Sequence, residues 1–405
     1  MRIQPSLLLL LLFAFVACSD DSDDTATPSS STNTNNTNNG PTDTDLTASM
    51  AKFAGVIDFN DLENYAAQTV PSYITRDNTA NNPITDHGAT LGRILFYDKE
   101  LSIDRSISCG SCHQQSFGFS DLSLRSAGVN GGMTGRHSMR LINARFAQED
   151  NFFWDERAAT LELQTTMPIQ DHAEMGFSGT SGNPDLNDLL LRMDSIDYYK
   201  ELFTWVYGDS IINESRMQLA LAQFVRSIQS FDSKFDQGLS AAGNINQNFS
   251  NYTAEENQGK ALFLAPPNQN GAGCQGCHRA PEFDIDPASQ NNGVTTSIAG
   301  GADYTNTRAP SLRDIFNANG SLNGPLMHDG SLASLELVID HYNRIIPDPA
   351  NTNLDRRLLG GGPGGGPPQG QNLNLSQAEK DALVAFIKTL SGSDVYTNSK
   401  WSDPF

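Results

Sequence analysis

Hydrophobic residues recur at helical spacing in several stretches of the chain, whereas the alternation typical of a strand is scarce. The segments Met217–Ile228 and Lys380–Leu390 both place apolar residues three and four positions apart, the pattern of an amphipathic helix. Ser376 followed by Glu379 forms a capping box, which predicts where the second of these helices begins. The segments between such patterns are long and rich in Gly, Asn and Pro. The pattern predicts a mainly helical protein with long loops.

The N-terminus carries a different pattern, a positive start at Arg2 and then an apolar run over 7–17. The run is too short to stay in a bilayer as a helix and is typical of an export signal. Ala17 directly before Cys18 resembles a bacterial lipobox, so we predict a lipoprotein signal peptide over 1–17 and lipidation of Cys18. The alternative is a plain secretory signal that leaves Cys18 as a free thiol.

The rest of the chain divides by composition. Residues 18–48 are mostly Asp, Ser, Thr and Asn, which cannot bury a core, so we predict a disordered tether. The following residues suffice for two domains, over 49–245 and 246–392, with a tail over 393–405. Residues 360–371 are rich in Gly and Pro and are predicted to form a loop insertion.

The chain is acidic, with a formal net charge of −21. This charge argues against nucleic acid and anionic membrane surfaces as partners, because both repel an acidic protein. It is compatible with a basic electron-donor protein. We therefore expect contact with a membrane only through the lipid anchor, which would place the protein in the periplasm or at the cell surface, on the outer membrane.

The strongest chemical signal is the pattern Cys-x-x-Cys-His, which occurs twice, as Cys109, Cys112 and His113 and as Cys274, Cys277 and His278. Each pair of thiols can add to the two vinyl groups of a haem, and the His that follows can bind the iron. A disulfide would leave the His unexplained, and a zinc site needs four ligands from closely spaced pairs. The motifs predict two covalently bound haem c groups. The predicted fold is mainly α, with two cytochrome c-like helical domains, each around one covalent haem.

From about Asn82 to Gly392 the chain also resembles the bacterial di-haem cytochrome c peroxidase family, in particular its MauG-like branch. Besides the two haem motifs, the resemblance runs through Leu91–Asp98, Phe153–Arg157, Met167–Ile169, Glu174–Met175, Ala309–Arg313 and Met327–Gly330. One departure is Glu156, where the family has Gly. The resemblance implies a peroxidase-like oxidoreductase. Hydrogen peroxide would react at the N-terminal haem, and the C-terminal haem would store or relay an oxidising equivalent.

The resemblance also assigns roles near the first haem. Glu174 aligns with the family's catalytic glutamate, and Trp154 aligns with the tryptophan between the haems. Gln164 and Pro168 align with residues on the open face of the iron. Cleavage of the peroxide O–O bond needs a proton moved from one oxygen to the other, which a carboxylate in a dry pocket can carry. Without the resemblance, Glu174 reads as a surface carboxylate and Trp154 as a core aromatic.

Many family members have a distal His that blocks this iron until the other haem is reduced, and at that position this chain has Val129. Valine cannot bind iron, so unless His137 bends back we expect the first haem to be five-coordinate and open to peroxide at rest. His137 takes the place of a calcium-binding Asn of the family. The backbone carbonyls of Asn323 and Pro325 fall at the family's other calcium contacts, which makes calcium a candidate cofactor.

At the second haem, Tyr342 stands where many family members have a Met ligand and where the MauG-like branch has Tyr. Leu332, Leu335 and Ile339 share a helical face with Tyr342, so core packing is the alternative role for this side chain. His341 points elsewhere and is expected at the surface. An anionic phenolate stabilises oxidised iron, whereas a Met thioether favours the ferrous state. Ligation by Tyr342 would therefore suit a site that holds an oxidising equivalent.

Several functions remain open at this point. The enzyme could remove peroxide with electrons from a small redox donor protein, a cytochrome or a cupredoxin. It could instead perform a MauG-like oxidation of a specific protein or small molecule, although the surface Trp through which MauG draws electrons corresponds to Ala272 here. A non-catalytic di-haem electron carrier would want two six-coordinate haems, against which Val129 argues. A di-haem oxygenase that activates O₂ is a further alternative.

Overall fold

The computed structural model describes residues 44–148, 151–360 and 369–405, which belong to one compact unit. The predicted signal peptide, Cys18 and most of the predicted tether lie outside the described residues, as does most of the predicted loop insertion. A short helix already begins at Thr47, just before the predicted start of the first domain.

Helices make up most of the regular secondary structure of the described residues, so the predicted mainly α class is confirmed. In chain order they are α1 (Thr47–Lys52), α2 (Asp86–Tyr97), α3 (Cys109–Cys112), α4 (Leu161–Gln170), α5 (Leu186–Asp194), α6 (Asp197–Tyr207), α7 (Glu214–Ser227), α8 (Lys234–Ala242), α9 (Ala254–Leu264), α10 (Leu335–Asn343) and α11 (Gln377–Lys388). The strands form two small antiparallel pairs, β1 (His278–Arg279) with β2 (Asp284–Ile285) and β3 (Leu359–Gly360) with β4 (Gln369–Gly370). Over the described ranges, no helix is long and apolar enough to cross a membrane.

Both helices predicted from periodicity are present, as α7 and α11. The predicted capping box also forms. The Ser376 hydroxyl accepts from the Glu379 amide at 3.4 Å, and the Glu379 carboxylate accepts from the Ser376 amide at 2.8 Å. Leu332, expected on the helix of Tyr342, precedes α10 instead, because Ser334 caps that helix.

The hydrophobic core falls into two large clusters, and in each of them two helices cross at a glycine. A Cβ on Gly92 of α2 would lie 2.0 Å from the carbonyl oxygen of Ala220 in α7. A Cβ on Gly259 of α9 would lie 1.8 Å from the carbonyl oxygen of Ala382 in α11. Any side chain at these glycines would push the helices apart. The repeated crossing gives each half of the fold a cytochrome c-like helix pair, while the predicted domain border after residue 245 stays a prediction.

The residues predicted to form a C-terminal tail pack onto the first core, where Val395 and Trp401 are buried. Tyr97, at the end of α2, donates its hydroxyl to the carbonyl oxygen of Trp401 at 2.7 Å. The same Tyr97 ring packs on the backbone of Gly110, inside the first haem motif. The C-terminal residues therefore help to hold the helix against which the first motif lies.

Candidate functional site

A cavity of about 490 Å³ lies beside the first Cys-x-x-Cys-His motif. Its walls include every residue that the sequence assigned to this site except Val129, namely Cys109, Cys112, His113, Trp154, Gln164, Pro168 and Glu174. Gln164 and Pro168 come from α4, and Cys109 and Cys112 come from α3. The fold thus brings the haem motif and the predicted peroxide-binding residues to one cavity, although far-separated segments of the chain supply them.

His113 is oriented by its neighbours. Its Nδ1–H donates to the carbonyl oxygen of Phe119 at 3.1 Å, and the Ser138 hydroxyl lies 3.2 Å from the same nitrogen. Burial lowers the pKa of the His113 imidazole, which favours the neutral form. A neutral imidazole with Nδ1 engaged presents Nε2 as its lone-pair donor, the arrangement usual for a metal-binding His.

Glu174 is a largely buried carboxyl group in the same cavity. Its burial, together with the charge of Asp171, raises its pKa to about 7, and the charge of Arg157 opposes this shift. The backbone also fixes its place, because the Glu174 amide donates to an Asp171 carboxylate oxygen at 3.0 Å. A carboxyl group with a pKa near neutrality can both accept and donate a proton, as a general acid–base group must.

The position of the blocking ligand offers no donor atom to iron. Val129 is only 1% exposed to solvent. Its side chain packs beside Gly176: a Cβ added to that glycine would lie 2.9 Å from Val129 Cγ2. His137 does not replace it, since its Nδ1 pairs with the carbonyl oxygen of Ser123 at 3.1 Å and its Nε2 lies 3.4 Å from the Ser120 hydroxyl. Burial lowers the pKa of His137 to about 4. His137 is therefore a neutral, buried side chain that both partners hold in place.

A second, smaller cavity of about 130 Å³ adjoins the second motif. Cys274, His278 and Tyr342 line it, whereas Cys277 is absent from its walls and is tied to Cys274 by an amide-to-carbonyl hydrogen bond of 3.1 Å. Burial, with the nearby charge of Arg357, lowers the pKa of His278 to about 4. The His278 Nδ1 is buried and has no hydrogen-bond partner among the described residues. The second imidazole is thus neutral like the first but less tightly oriented.

Tyr342 lies on the cavity side of α10 together with Leu335 and Ile339. Burial raises the pKa of its phenol, and a hydrogen bond with the Asn292 side chain opposes that shift. His341 was expected at the surface, but it is half-buried, and its Nε2 pairs with the carbonyl oxygen of Asn292 at 2.9 Å. Periodicity places His341 on another helical face, yet the loop at Asn292 covers that face.

Trp154 lines both cavities. Its indole Nε1–H donates to the carbonyl oxygen of His137 at 2.7 Å, and the His137 amide donates to the carbonyl oxygen of His328 at 3.0 Å. The rings of Trp154 and His328 have centroids 6.5 Å apart. Trp154 therefore lies in a wall common to both cavities, and its role between the two haems stays a prediction.

Among the arginines of the cavity walls, Arg140 and Arg308 each have a donor that is unpaired within the described part of the chain, and neither residue was indicated by the sequence. Arg140 lines both cavities and Arg308 lines the first, and each buries an Nε–H with no partner among the described residues. Burial lowers the pKa of Arg140 to about 10, so its guanidinium is still charged at neutral pH. A buried guanidinium with unused donors suits a carboxylate ligand, and a haem carries two such carboxylates as its propionates. The sequence could not indicate these residues, because a single Arg does not form a recognisable motif.

Both motifs fit a covalent haem. The four described cysteines, Cys109, Cys112, Cys274 and Cys277, form no disulfide, so their thiols are available for thioether bonds. Each motif has its neutral imidazole at a cavity wall, and the unpaired guanidinium donors of Arg140 and Arg308 face the same space. This donor set matches a c-type haem at each motif.

The departure at Glu156 has a conformational cost. Glu156 has a φ of 58°, in the left-handed region that Gly adopts without strain. The Asn306 side-chain amide donates to the Glu156 carboxylate at 3.0 Å. This contact links the segment that carries Trp154 to the loop that follows residue 303.

The residues predicted for calcium lie near one another. Asn323 is buried, and its side-chain amide donates to the carbonyl oxygen of Asp314 at 2.9 Å, while its Oδ1 has no partner among the described residues. A Cβ on the adjacent Gly324 would lie 3.3 Å from Nε2 of His137. Within the described part of the chain, no three His, Cys, Asp or Glu side chains converge as metal ligands. A calcium ion at Asn323 and Pro325 stays a prediction.

Comparisons with known proteins agree with this geometry. A family model described as di-haem cytochrome c peroxidase matches residues 86–244. Methylamine utilization protein MauG of Methylophilus methylotrophus is 30% identical over 323 residues, which cover 77% of this chain and 84% of that protein. Cytochrome c551 peroxidase of Nitrosomonas europaea is 29% identical over 318 residues, covering 75% and 80%. The crystal structure of a MauG-like protein associated with microbial copper homeostasis matches with a TM-score of 0.64 and 26% identity, covering 83% of this chain and 98% of that one.

Proposed function

The chain belongs to the di-haem cytochrome c peroxidase family, and on that premise we propose that its N-terminal site reacts with hydrogen peroxide while its C-terminal site stores or relays an oxidising equivalent. The observation that carries the proposal is the buried carboxyl group of Glu174 in the cavity of His113. Its carboxyl group, with a pKa of about 7, shares a cavity with His113, and Val129 supplies no ligand that could close that cavity's iron.

Cys109, Cys112 and His113 would hold the first haem, which would supply the redox chemistry for the reduction of peroxide. Glu174 takes the proton from one peroxide oxygen and returns it to the other, which makes the departing oxygen leave as water. Gln164 lines the same cavity and offers an amide that can orient the peroxide. The hydrogen bond that the His113 Nδ1–H donates to the Phe119 carbonyl, together with the nearby Ser138 hydroxyl, keeps the imidazole in one orientation.

The C-terminal site is assigned to Cys274, Cys277, His278 and Tyr342. Tyr342 would bind the iron of the second haem, and because a phenolate favours oxidised iron, that site would keep an oxidising equivalent until an electron arrives. Trp154 lines both cavities, and we propose that charge passes between them through this residue.

A MauG-like oxidation of a specific protein or small molecule is the second candidate, favoured by Tyr342 in the second cavity. The exit that MauG uses is missing here, since Ala272 stands at that position and is buried in the wall of the second cavity. An electron donor or a substrate of this chain would therefore deliver electrons elsewhere. We favour a small redox protein, a cytochrome or a cupredoxin, as that donor, and a non-catalytic electron carrier is disfavoured by the acid–base group at Glu174.

We further propose that Cys18 anchors the protein to the outer membrane by lipidation, in the periplasm or at the cell surface. A Cys18→Ser variant would then leave the membrane fraction and lose labelling by radioactive palmitate. Retained labelling would refute the anchor. Calcium binding at Asn323 and Pro325 is tested separately, by the calcium content of the purified protein before and after dialysis against a chelator.

The proposed activity is tested by peroxide consumption with a reduced small c-type cytochrome as the electron donor. The fully oxidised protein should begin turnover without a lag, because Val129 leaves the first site open from the start. Activity that appears only after prior reduction of the second site would contradict the proposal.

A further inference from the structure

We propose that Arg136 is a positioning residue for charge transfer between the two haem sites and acts by fixing Trp154. The inference rests on the proposed function, since it assumes that an oxidising equivalent passes from the first site to the second. It concerns a residue that neither the haem motifs nor the peroxide-binding residues include.

Arg136 bridges two carboxylates from distant parts of the chain. Its Nη1 lies 2.7 Å from an Asp155 oxygen, and its Nη2 lies 2.7 Å from an Asp303 oxygen. Asp155 directly follows Trp154, and the Asp303 oxygen also lies 3.6 Å from Nε2 of His328. One guanidinium therefore ties the segment of Trp154 to a loop that contacts His328, and all three charged side chains are largely buried.

The backbone of the next residue repeats the same two connections. The His137 carbonyl oxygen accepts the indole N–H of Trp154, and the His137 amide donates to the carbonyl oxygen of His328. Side chain and backbone of two consecutive residues thus fix Trp154 on one side and His328 on the other. The carbonyl oxygen of Trp154 is held as well, by the amide of Arg308 at 2.8 Å. The indole has little freedom to change its distance or its angle to either cavity.

This rigidity matters because of how Trp154 would carry charge. The partner of its N–H is an amide carbonyl, which is too weak a base to take the indole proton. An electron can therefore leave Trp154 and return while the proton stays in place. The rate of such a step falls steeply with distance and misalignment, so residues that hold the ring control the rate through its position.

The choice of Arg over Lys follows from the geometry. The planar guanidinium reaches Asp155 with one Nη and Asp303 with the other. A Lys ammonium is a point charge on a flexible stem and would contact one carboxylate well and the other poorly. Arg136→Lys keeps the charge and loses part of the bridge, whereas Arg136→Ala loses both.

The test uses the di-haem protein, one equivalent of hydrogen peroxide and rapid freezing followed by electron paramagnetic resonance. The decay of the high-spin ferric signal reports the first site, and the decay of the low-spin ferric signal reports the second. In Arg136→Ala the high-spin signal should decay as in the wild type, while decay of the low-spin signal slows by about tenfold or more. Arg136→Lys should restore part of that rate. Asp303→Asn, which keeps the shape of the side chain and weakens one arm of the bridge, should also slow the second decay alone.

Arg216→Ala is the matched control, because Arg216 forms a forked ion pair with Asp209, at 2.5 and 3.0 Å, outside both cavities. It should leave both decays unchanged. If the low-spin signal decays at the wild-type rate in both Arg136→Ala and Asp303→Asn, the inference about Arg136 is overturned, while the proposed function still stands. Equal slowing of both signals in Arg136→Ala would also overturn it, since that result indicates a general loss of structure. If neither ferric signal of the wild-type protein decays after peroxide is added, the proposed function is refuted, and the inference with it.

Discussion

The backbone amide of Val129 donates a hydrogen bond to the carbonyl oxygen of Glu174 at 3.0 Å. The position where many relatives of this family have a blocking ligand is therefore attached to the residue proposed to move protons. Gly128 and Gly132 reinforce this attachment, because a Cβ on either would lie within 2.3 Å of the carbonyl oxygen of Ala173. The loop around Val129 thus fixes the backbone at Glu174, and the Val129 side chain itself offers no atom that could bind iron.

A Val129→His substitution should close the first site. If the new imidazole binds iron with a net gain of only about 1.4 kcal/mol, about one tenth of the molecules stay open and the peroxide reaction slows about tenfold. Stopped-flow absorbance with excess peroxide measures that rate. Val129→Ala is the control, because it removes side-chain volume without adding a ligand atom, and it should react at close to the wild-type rate.

Glu174→Gln should lower turnover by about 10²- to 10⁴-fold, the usual contribution of a positioned acid–base group. Taking a proton from peroxide requires the ionised carboxylate. With a pKa of about 7, the wild-type rate should therefore rise with pH through neutrality and level off above it. The Gln variant should show no such rise, as pH–rate profiles of both proteins would reveal.

Asp171→Asn provides an independent check on that profile. The charge of Asp171 helps to raise the pKa of Glu174, so its removal should move the midpoint of the profile to lower pH. The Asn side-chain oxygen can still accept the backbone amide of Glu174. A midpoint that stays in place would mean that another group controls the profile.

Tyr342 is tested by the spectrum and potential of the second site. Tyr342→Phe should remove the low-spin ferric signal, because phenylalanine cannot bind iron. Tyr342→Met should keep a low-spin iron and raise its reduction potential by on the order of 0.1 V, since a thioether favours the ferrous state. Persistence of the original low-spin signal in Tyr342→Phe would show that Tyr342 is not the ligand.

Glu156 allows a test of backbone strain. Glu156→Gly and Glu156→Ala both lose the contact with Asn306, but only Gly relieves the positive φ of 58°. The Gly variant should therefore unfold with a free energy about 1 kcal/mol higher than the Ala variant. Urea unfolding of the two proteins, each with both haems attached, measures the difference.

Local patterns in the sequence predicted the local features of the structure. The capping box of Ser376 and Glu379 and the two haem motifs each depend on residues a few positions apart, and all were recognised from spacing. Features that depend on distant segments were not. The ion pair between Arg136 and Asp303 joins residues with no shared pattern, and the loop at Asn292 that covers His341 cannot be inferred from the periodicity of α10.

The same limit applies inside the candidate site. Alignment with the family indicated Glu174 and Trp154, and the structure places both in the first cavity. The raised pKa of Glu174 comes from burial and from Asp171, which depends on how the chain packs there. Family alignment likewise gave no sign of Arg140 and Arg308, because their role depends on facing a cavity.

The most direct test of the central claim, that the two haem sites are unequal, is electron paramagnetic resonance of the fully oxidised protein before and after one equivalent of hydrogen peroxide. We predict one high-spin ferric signal from the site of His113 and one low-spin signal from the site of His278 and Tyr342. Both signals should be lost rapidly once peroxide is added. Two low-spin signals that peroxide leaves unchanged would contradict this account.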